Sequence, residues 1–108
     1  MSAKPSSGDL EKVTEALRTT RHSRLPLAHW ERFELAVATI LAAIEHGDAD
    51  LITDERKVIE HLDLRQEHVA GPGRGAPVAQ PERVRAAADR LTRRIEKLRA
   101  DEDREKSR

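Results

Sequence analysis

The chain has 108 residues, with 20 basic and 20 acidic side chains, no cysteine and 37% hydrophobic residues. This length suits one small domain, the zero net charge argues against an intrinsically disordered chain, and the lack of cysteine excludes disulfides and thiolate metal sites. With one Trp, one Phe and no Tyr, the core must be built from aliphatic residues and alanine, which is typical of packed helices. We therefore expect an all-α fold in a single domain over residues 9–100.

The N-terminal part of the chain predicts a leader followed by a first helix. Residues 1–8 are rich in Ser, Pro and Gly, and we expect them to be disordered and to carry no signal peptide. From Asp9, three apolar residues recur at steps of three and four and predict a helix to about residue 22: Leu10, Val13 and Leu17. Pro26 then interrupts the chain, and a second helix is expected to begin near it.

The second helix carries the strongest apolar pattern and is the expected core element. Its stripe consists of Trp30, Phe33, Val37, Ile40, Leu41 and Ile44. Gly47 is placed to close this helix in a left-handed conformation, and Asp48 or Asp50 can cap a third helix that ends near Arg65. Because the connection is short, these two helices should form an antiparallel hairpin. The stretch 36–44 is too short for a membrane span, so we expect a cytoplasmic protein without membrane contact.

A long loop over residues 66–81 is rich in Gly and Pro and predicts irregular structure before the last helix. That helix begins at Pro81, and its apolar residues form an a/d seam: Val84, Ala88, Leu91, Ile95 and Leu98. The seam predicts a homo-oligomer that forms through the last helix. Residues 101–108 contain nothing to bury and are expected to fray, so the fold is a bundle of about four helices, with the first helix less firmly attached.

Two kinds of chemical site can be weighed from the histidines. No two histidines have the three- or four-residue spacing of a helical metal site, so no metal or other cofactor is expected. Arg56 with His61, and Arg24 with His29, match the spacing of a small ribonuclease that pairs an Arg with a following His. Chance produces about two such matches in a chain of this composition, so a ribonuclease remains the weaker alternative and no catalytic residue is assigned.

Charge is unevenly distributed along the chain. Residues 27–70 carry a net charge of −6, whereas residues 71–100 carry +5. Four basic residues recur along one side of the last helix: Arg83, Arg90, Arg94 and Lys97. They could contact an acidic partner or nucleic acid, or they could neutralise the acidic hairpin of the same chain, which is favoured because aromatic stacking residues are nearly absent.

Short motifs at the helix ends and turns form a recognisable pattern over residues 17–98. They are Arg24-Leu25-Pro26, Trp30-Glu31-Arg32, Gly47-Asp48, Leu62, and a Gly/Pro loop leading through Pro77 and Pro81 into Val84-Arg85. In this pattern the chain resembles the CATRA-associated small proteins of bacteria. The segment Leu91–Glu96 departs from the family pattern, because it lacks an Asn and a His that the family tends to carry there.

The resemblance implies a small adaptor of a bacterial conflict or signalling system, with caspase-like or TPR-associated proteins as partners and no catalytic activity of its own. By analogy, Trp30 would anchor the hairpin, and Pro77 and Pro81 would contribute to a contact surface. Together with the basic residues of the last helix, these are the candidate partner contacts. Nucleic-acid binding through that helix is the alternative function.

Overall fold

The structure, a computed structural model, describes residues 7–65 and 76–106. In these ranges it contains four helices and one pair of short strands: α1 (Ser7–Thr20), β1 (Arg24–Leu25), α2 (Leu27–His46), α3 (Ala49–Arg65), β2 (Val78–Ala79) and α4 (Glu82–Lys106). The predicted all-α bundle of about four helices is confirmed. Most of the predicted Gly/Pro loop, residues 66–75, lies outside the described residues, as do residues 1–6 of the predicted leader and residues 107–108.

The four helices form a bundle in which each helix has two main neighbours. α2 packs against α3 and α4, and α1 packs against the same two helices from the other side. α2 and α1 therefore lie diagonally across the bundle. One side of α2 faces the common core, and the opposite side points away from the other three helices.

The core is one continuous cluster to which all four helices contribute. Trp30 and Phe33 lie at its centre, fully buried, with their rings edge to face and their centroids 5.4 Å apart. The first helix, expected to be less firmly attached than the others, contributes Leu10, Val13 and Leu17 to the same cluster. Three apolar positions on one helical face are enough to dock a 14-residue helix.

The turn between α2 and α3 follows the predicted chemistry. Gly47 has φ 72° and ψ 32°, a left-handed conformation that glycine adopts without steric cost. The backbone N–H of Asp48 donates to the carbonyl of Ala43, and the Asp48 carboxylate accepts a hydrogen bond from the N–H of Leu51 at 3.1 Å. The helices are thus joined tightly, and the predicted antiparallel hairpin is confirmed.

The end of the predicted loop contains a strand that the sequence pattern does not reveal. β2 pairs antiparallel with β1, with Arg24 opposite Ala79 and Leu25 opposite Val78. The indole Nε1 of Trp30 donates to the Val78 carbonyl at 2.9 Å, so the core itself holds this strand. The prediction of irregular structure throughout residues 66–81 is therefore wrong for residues 78–79.

Two predicted boundaries also differ from the structure. α1 begins at Ser7, inside the predicted leader, and α4 continues to Lys106, inside the segment 101–108 that was expected to fray. Neither segment needs apolar burial to extend a helix that is already nucleated. Residues 101–106 are Asp, Glu, Arg and Lys without Gly or Pro, and helix propagation through such residues costs little.

Candidate interaction surface

The residues considered for catalysis or metal binding do not converge. Arg56 donates through Nη1 to Glu60 Oε1 at 2.8 Å, and His61 lies five positions from Arg56, about 140° away around α3. Arg24 is exposed on β1, whereas His29 is half-buried in the first turn of α2. Within residues 7–65 and 76–106, no three His, Asp or Glu side chains are grouped so that they could hold a metal ion.

The basic residues predicted on α4 divide into two pairs. Arg83 forms an ion pair with Glu34 of α2 at 3.4 Å, and Arg94 forms one with Glu45 of α2 at 2.7 Å. Arg90 and Lys97 are exposed and have no ion pair with any described residue. Half of the basic stripe is thus neutralised within the chain.

The Arg94 contact also perturbs the carboxyl that it binds. Its guanidinium donates a hydrogen bond to Glu45 and adds a favourable charge, and both effects hold the pKa of Glu45 below its ordinary value of 4.5. Burial opposes the change slightly, and the nearby His46 and Lys97 add to it. The carboxylate is therefore kept charged by its contact with α4.

The remaining candidate contacts lie at the start of α2 and α4. Trp30 is fully buried, which removes it from the set of residues that can touch a partner. Pro77 is exposed, and Pro81 is half-buried beside Leu27 in an open depression that Glu31 and Arg83 also line. Only the two prolines of this group are accessible.

The apolar seam of α4 is used inside the bundle. Val84, Leu91 and Ile95 are each at most 1% exposed, because they pack against the core formed by the other helices. The packing that makes α4 a core helix thus covers the a/d positions that suggested self-association, and self-association through the last helix stays a prediction.

Of the three large hydrophobic residues exposed in the described part of the chain, Val78 lies on β2, and Leu27 and Leu35 lie on the side of α2 opposite the core. We define the outer face of α2 as Leu27, Ala28, Glu31, Leu35, Ala38, Thr39, Ala42 and His46. Leu27 is 54% exposed and Leu35 is 58% exposed. Of the eight exposed residues of α2, five are Leu or Ala, whereas none of the five exposed residues described on α3 is apolar. Sequence reasoning missed this face, although Leu35, Ala38 and Ala42 all fall off the predicted core stripe.

An open groove runs along the outer face where α2 meets α3. Ala38 and Ala42 form its floor, Leu51 of α3 forms one wall, and His46 and Asp48 close its end. Small side chains on the floor allow another helix to approach closely. The groove is shallow and mostly apolar, which suits the surface of a macromolecule better than a small ligand.

A second, more polar cleft lies between α1 and α4. It has a volume of about 150 Å³ and is crossed by Arg21 and Asp89, whose charged atoms are 3.9 Å apart. This volume is below the range of typical ligand pockets. The outer face of α2 is the more extensive candidate surface.

No known family model, curated protein or solved structure matches the chain with significance. Among the described residues, none of the helices is both long and apolar enough to cross a membrane.

Proposed function

We propose that the chain is a non-catalytic helical adaptor that binds a protein partner through the outer face of α2. The observation that carries the proposal is the exposure of Leu27 and Leu35 on a helix whose opposite side is fully packed. Exposed apolar residues grouped on one face are a feature of interaction sites, whereas single ones are common on any surface.

A protein suits this face better than other classes of ligand. The face is long and nearly flat, and Glu31 and His46 are its only ionisable members. A partner helix laid along α2 would bury Leu35 and the groove beside Ala42, in the way amphipathic helices bind apolar grooves. Small molecules require a more enclosed site.

The class of partner in this proposal comes from the resemblance to CATRA-associated small proteins. It places the chain in a cytoplasmic bacterial conflict or signalling system, beside caspase-like or TPR-associated proteins. Support for an adaptor over an enzyme comes from the separation of Arg56 and His61 and from the engagement of Arg56 by Glu60.

Nucleic-acid binding is the second candidate, and Arg90 and Lys97 are the observation in its favour. Both are exposed and without an ion pair among the described residues. The other two residues of their stripe, Arg83 and Arg94, are engaged by Glu34 and Glu45 of α2. A phosphate-binding surface requires a denser basic array.

The test uses the product of a caspase-like or TPR-associated gene that neighbours the gene for this chain. Calorimetric titration of the two purified proteins should give a complex, and Leu35→Glu should weaken it at least about tenfold by placing a charge in an apolar contact. Arg90→Glu, which alters α4 instead, should leave the affinity within about threefold. Absence of a complex, or a complex indifferent to Leu35→Glu, contradicts the proposal.

A gel-shift titration with duplex DNA and with single-stranded RNA distinguishes nucleic-acid binding from the adaptor function. A complex that weakens steeply with salt and is lost on Arg90→Glu would favour nucleic-acid binding. Cleavage of the RNA that stops on His61→Ala would favour the ribonuclease.

A further inference from the structure

We propose that the outer face of α2 also binds a second copy of this chain, in a parallel two-fold dimer whose two α2 helices run side by side in the same direction. The inference rests on the proposed function in that it uses the same face. It adds the identity of one occupant and its orientation. The charges on the two flanks of the face decide both.

The flank formed by α4 is basic. The pairs Arg83–Glu34 and Arg94–Glu45 show that α4 runs alongside α2 in the same direction and with a constant offset. Arg90 therefore lies beside the second half of α2, and Lys97 lies beside its C-terminal end. Both are exposed on the outward side and have no ion pair among the described residues.

The flank formed by α3 is acidic. α3 runs antiparallel to α2, and Leu51 marks the side of α3 that borders the groove. Asp54 follows Leu51 by three residues and lies on the same side, exposed, and the next residue, Glu55, pairs with Arg32 of α2 at 3.1 Å, which places Asp54 beside the middle of α2. Asp48 stands at the C-terminal end of the groove. Asp48 is thus at about the height of Lys97, and Asp54 lies within about two helical turns of Arg90 along α2.

Two-fold symmetry allows only two ways to lay α2 on α2. If the helices run antiparallel, each flank meets its own copy, so that Asp54 faces acidic residues and Arg90 faces basic ones. If they run parallel, the α3 flank of one copy meets the α4 flank of the other. The flank with Asp54 and Asp48 then meets the flank with Arg90 and Lys97, twice over in the dimer. Opposite charges on the flanks that meet therefore select the parallel arrangement and a second copy as the occupant.

The centre of such a dimer fits the chemistry of the face. Leu35 of one copy lies against Leu35 of the other, the small residues Ala38 and Ala42 of the two copies let the helices approach closely, and no charged side chain lies between Leu35 and Ala42 on the outer face. α2 has 20 residues and is about 30 Å long, so the contact is at the small end of specific interfaces. We expect a dissociation constant on the order of 10 to 100 µM.

Sedimentation equilibrium of the full chain from about 5 µM to about 1 mM tests the proposal. The native chain should be a reversible dimer, and Leu35→Glu should weaken it at least about tenfold. Thr19→Glu is the control, since Thr19 is exposed on α1, diagonally across the bundle from α2, and it should change the constant by no more than about threefold. A chain that is monomeric at every concentration overturns the proposal.

Charge reversal tests the orientation. Arg90→Glu alone and Asp54→Arg alone should each weaken the dimer about three- to tenfold, and the double variant should restore it to within about threefold of the native chain. These two residues lie on opposite flanks of one chain, so restoration requires contact between copies. If either single reversal strengthens the dimer, the helices are antiparallel and the proposal is wrong.

A cysteine cross-link tests the parallel arrangement independently, because the chain has no cysteine of its own. In the parallel dimer Ala42 lies near its own symmetry mate, so Ala42→Cys should form a disulfide-linked dimer on mild oxidation. Glu15→Cys, exposed on α1 across the bundle, should not. Equal cross-linking of the two variants contradicts the arrangement.

The dimer and the adaptor function can fail separately. A monomeric chain whose complex with the neighbouring gene product is lost on Leu35→Glu refutes the dimer and retains the adaptor. A dimer that obeys the charge-reversal pattern, in a chain that binds no such product, retains the dimer and refutes the adaptor.

Discussion

The outer face of α2 and the apolar seam of α4 are both apolar, but the first is exposed and the second is buried. The seam of α4 has the regular spacing of an interaction helix, yet Leu91 is fully buried within its own bundle. The outer face of α2 has no such regularity, yet Leu35 is more than half exposed. A regular apolar pattern therefore indicates the side of a helix that is buried within the monomer. Apolar residues outside that pattern, as on α2, indicate a surface that another molecule can contact.

The largest expected effect is a difference in stability between two leucines on these surfaces. Leu91→Ala should lower the free energy of unfolding by about 2–5 kcal/mol, because it removes buried methyl groups and leaves a cavity. Leu35→Ala should change it by less than about 0.5 kcal/mol, because its side chain is already largely in water. Urea unfolding of both variants at a concentration where the chain is monomeric measures the difference, and comparable losses would contradict the assignment of the two surfaces.

α2 itself has one buried and one exposed side, and Trp30 lies on the buried side, opposite Leu35. Trp30→Phe retains most of the buried ring but removes the hydrogen bond to the Val78 carbonyl, and should cost about 1–2 kcal/mol. Amide hydrogen exchange of residues 78–80 should rise with it, since β2 loses its link to the core. Val78→Ala, which keeps the carbonyl, is the control. If exchange rises equally in both variants, the indole does not hold the strand.

The parts of the fold that the sequence predicts well are those governed by local rules. Gly47 and Asp48 specify a left-handed turn and a helix cap within three residues, and both occur as expected. The stripe around Phe33 follows from helical periodicity alone. Each of these features depends on residues that are neighbours along the chain.

The features that the sequence does not predict depend on contacts between distant residues. β2 is exposed and only two residues long, and it exists because Trp30, 48 positions earlier, binds its backbone. Likewise, the pairing of Arg94 with Glu45, and the exposure of Arg90 one turn away, follow from how α4 is rotated against α2. A list of basic residues on one helix side cannot distinguish a neutralised arginine from an available one.

The smallest expected effect on stability comes from the ion pair between Arg94 of α4 and Glu45 of α2. Arg94 lowers the pKa of Glu45 in the folded chain below its ordinary value of 4.5, so the charged carboxylate favours folding. This contribution is fully present above pH 4.5 and is lost as the pH falls through the lowered pKa. Glu45→Gln should therefore reduce the melting temperature near neutral pH, and the difference from the native chain should shrink towards zero in acid.

The control for this effect is Glu15→Gln, which removes an exposed carboxylate on α1 that has no ion pair with any described residue. Because Glu45 is itself exposed, added salt should screen its attraction to Arg94 and reduce the effect of Glu45→Gln at neutral pH. Arg94→Gln should reproduce the pH dependence of Glu45→Gln, since both remove the same contact. If Arg94→Gln leaves the acid sensitivity of the native chain intact, Arg94 does not neutralise Glu45 and is free to meet a partner.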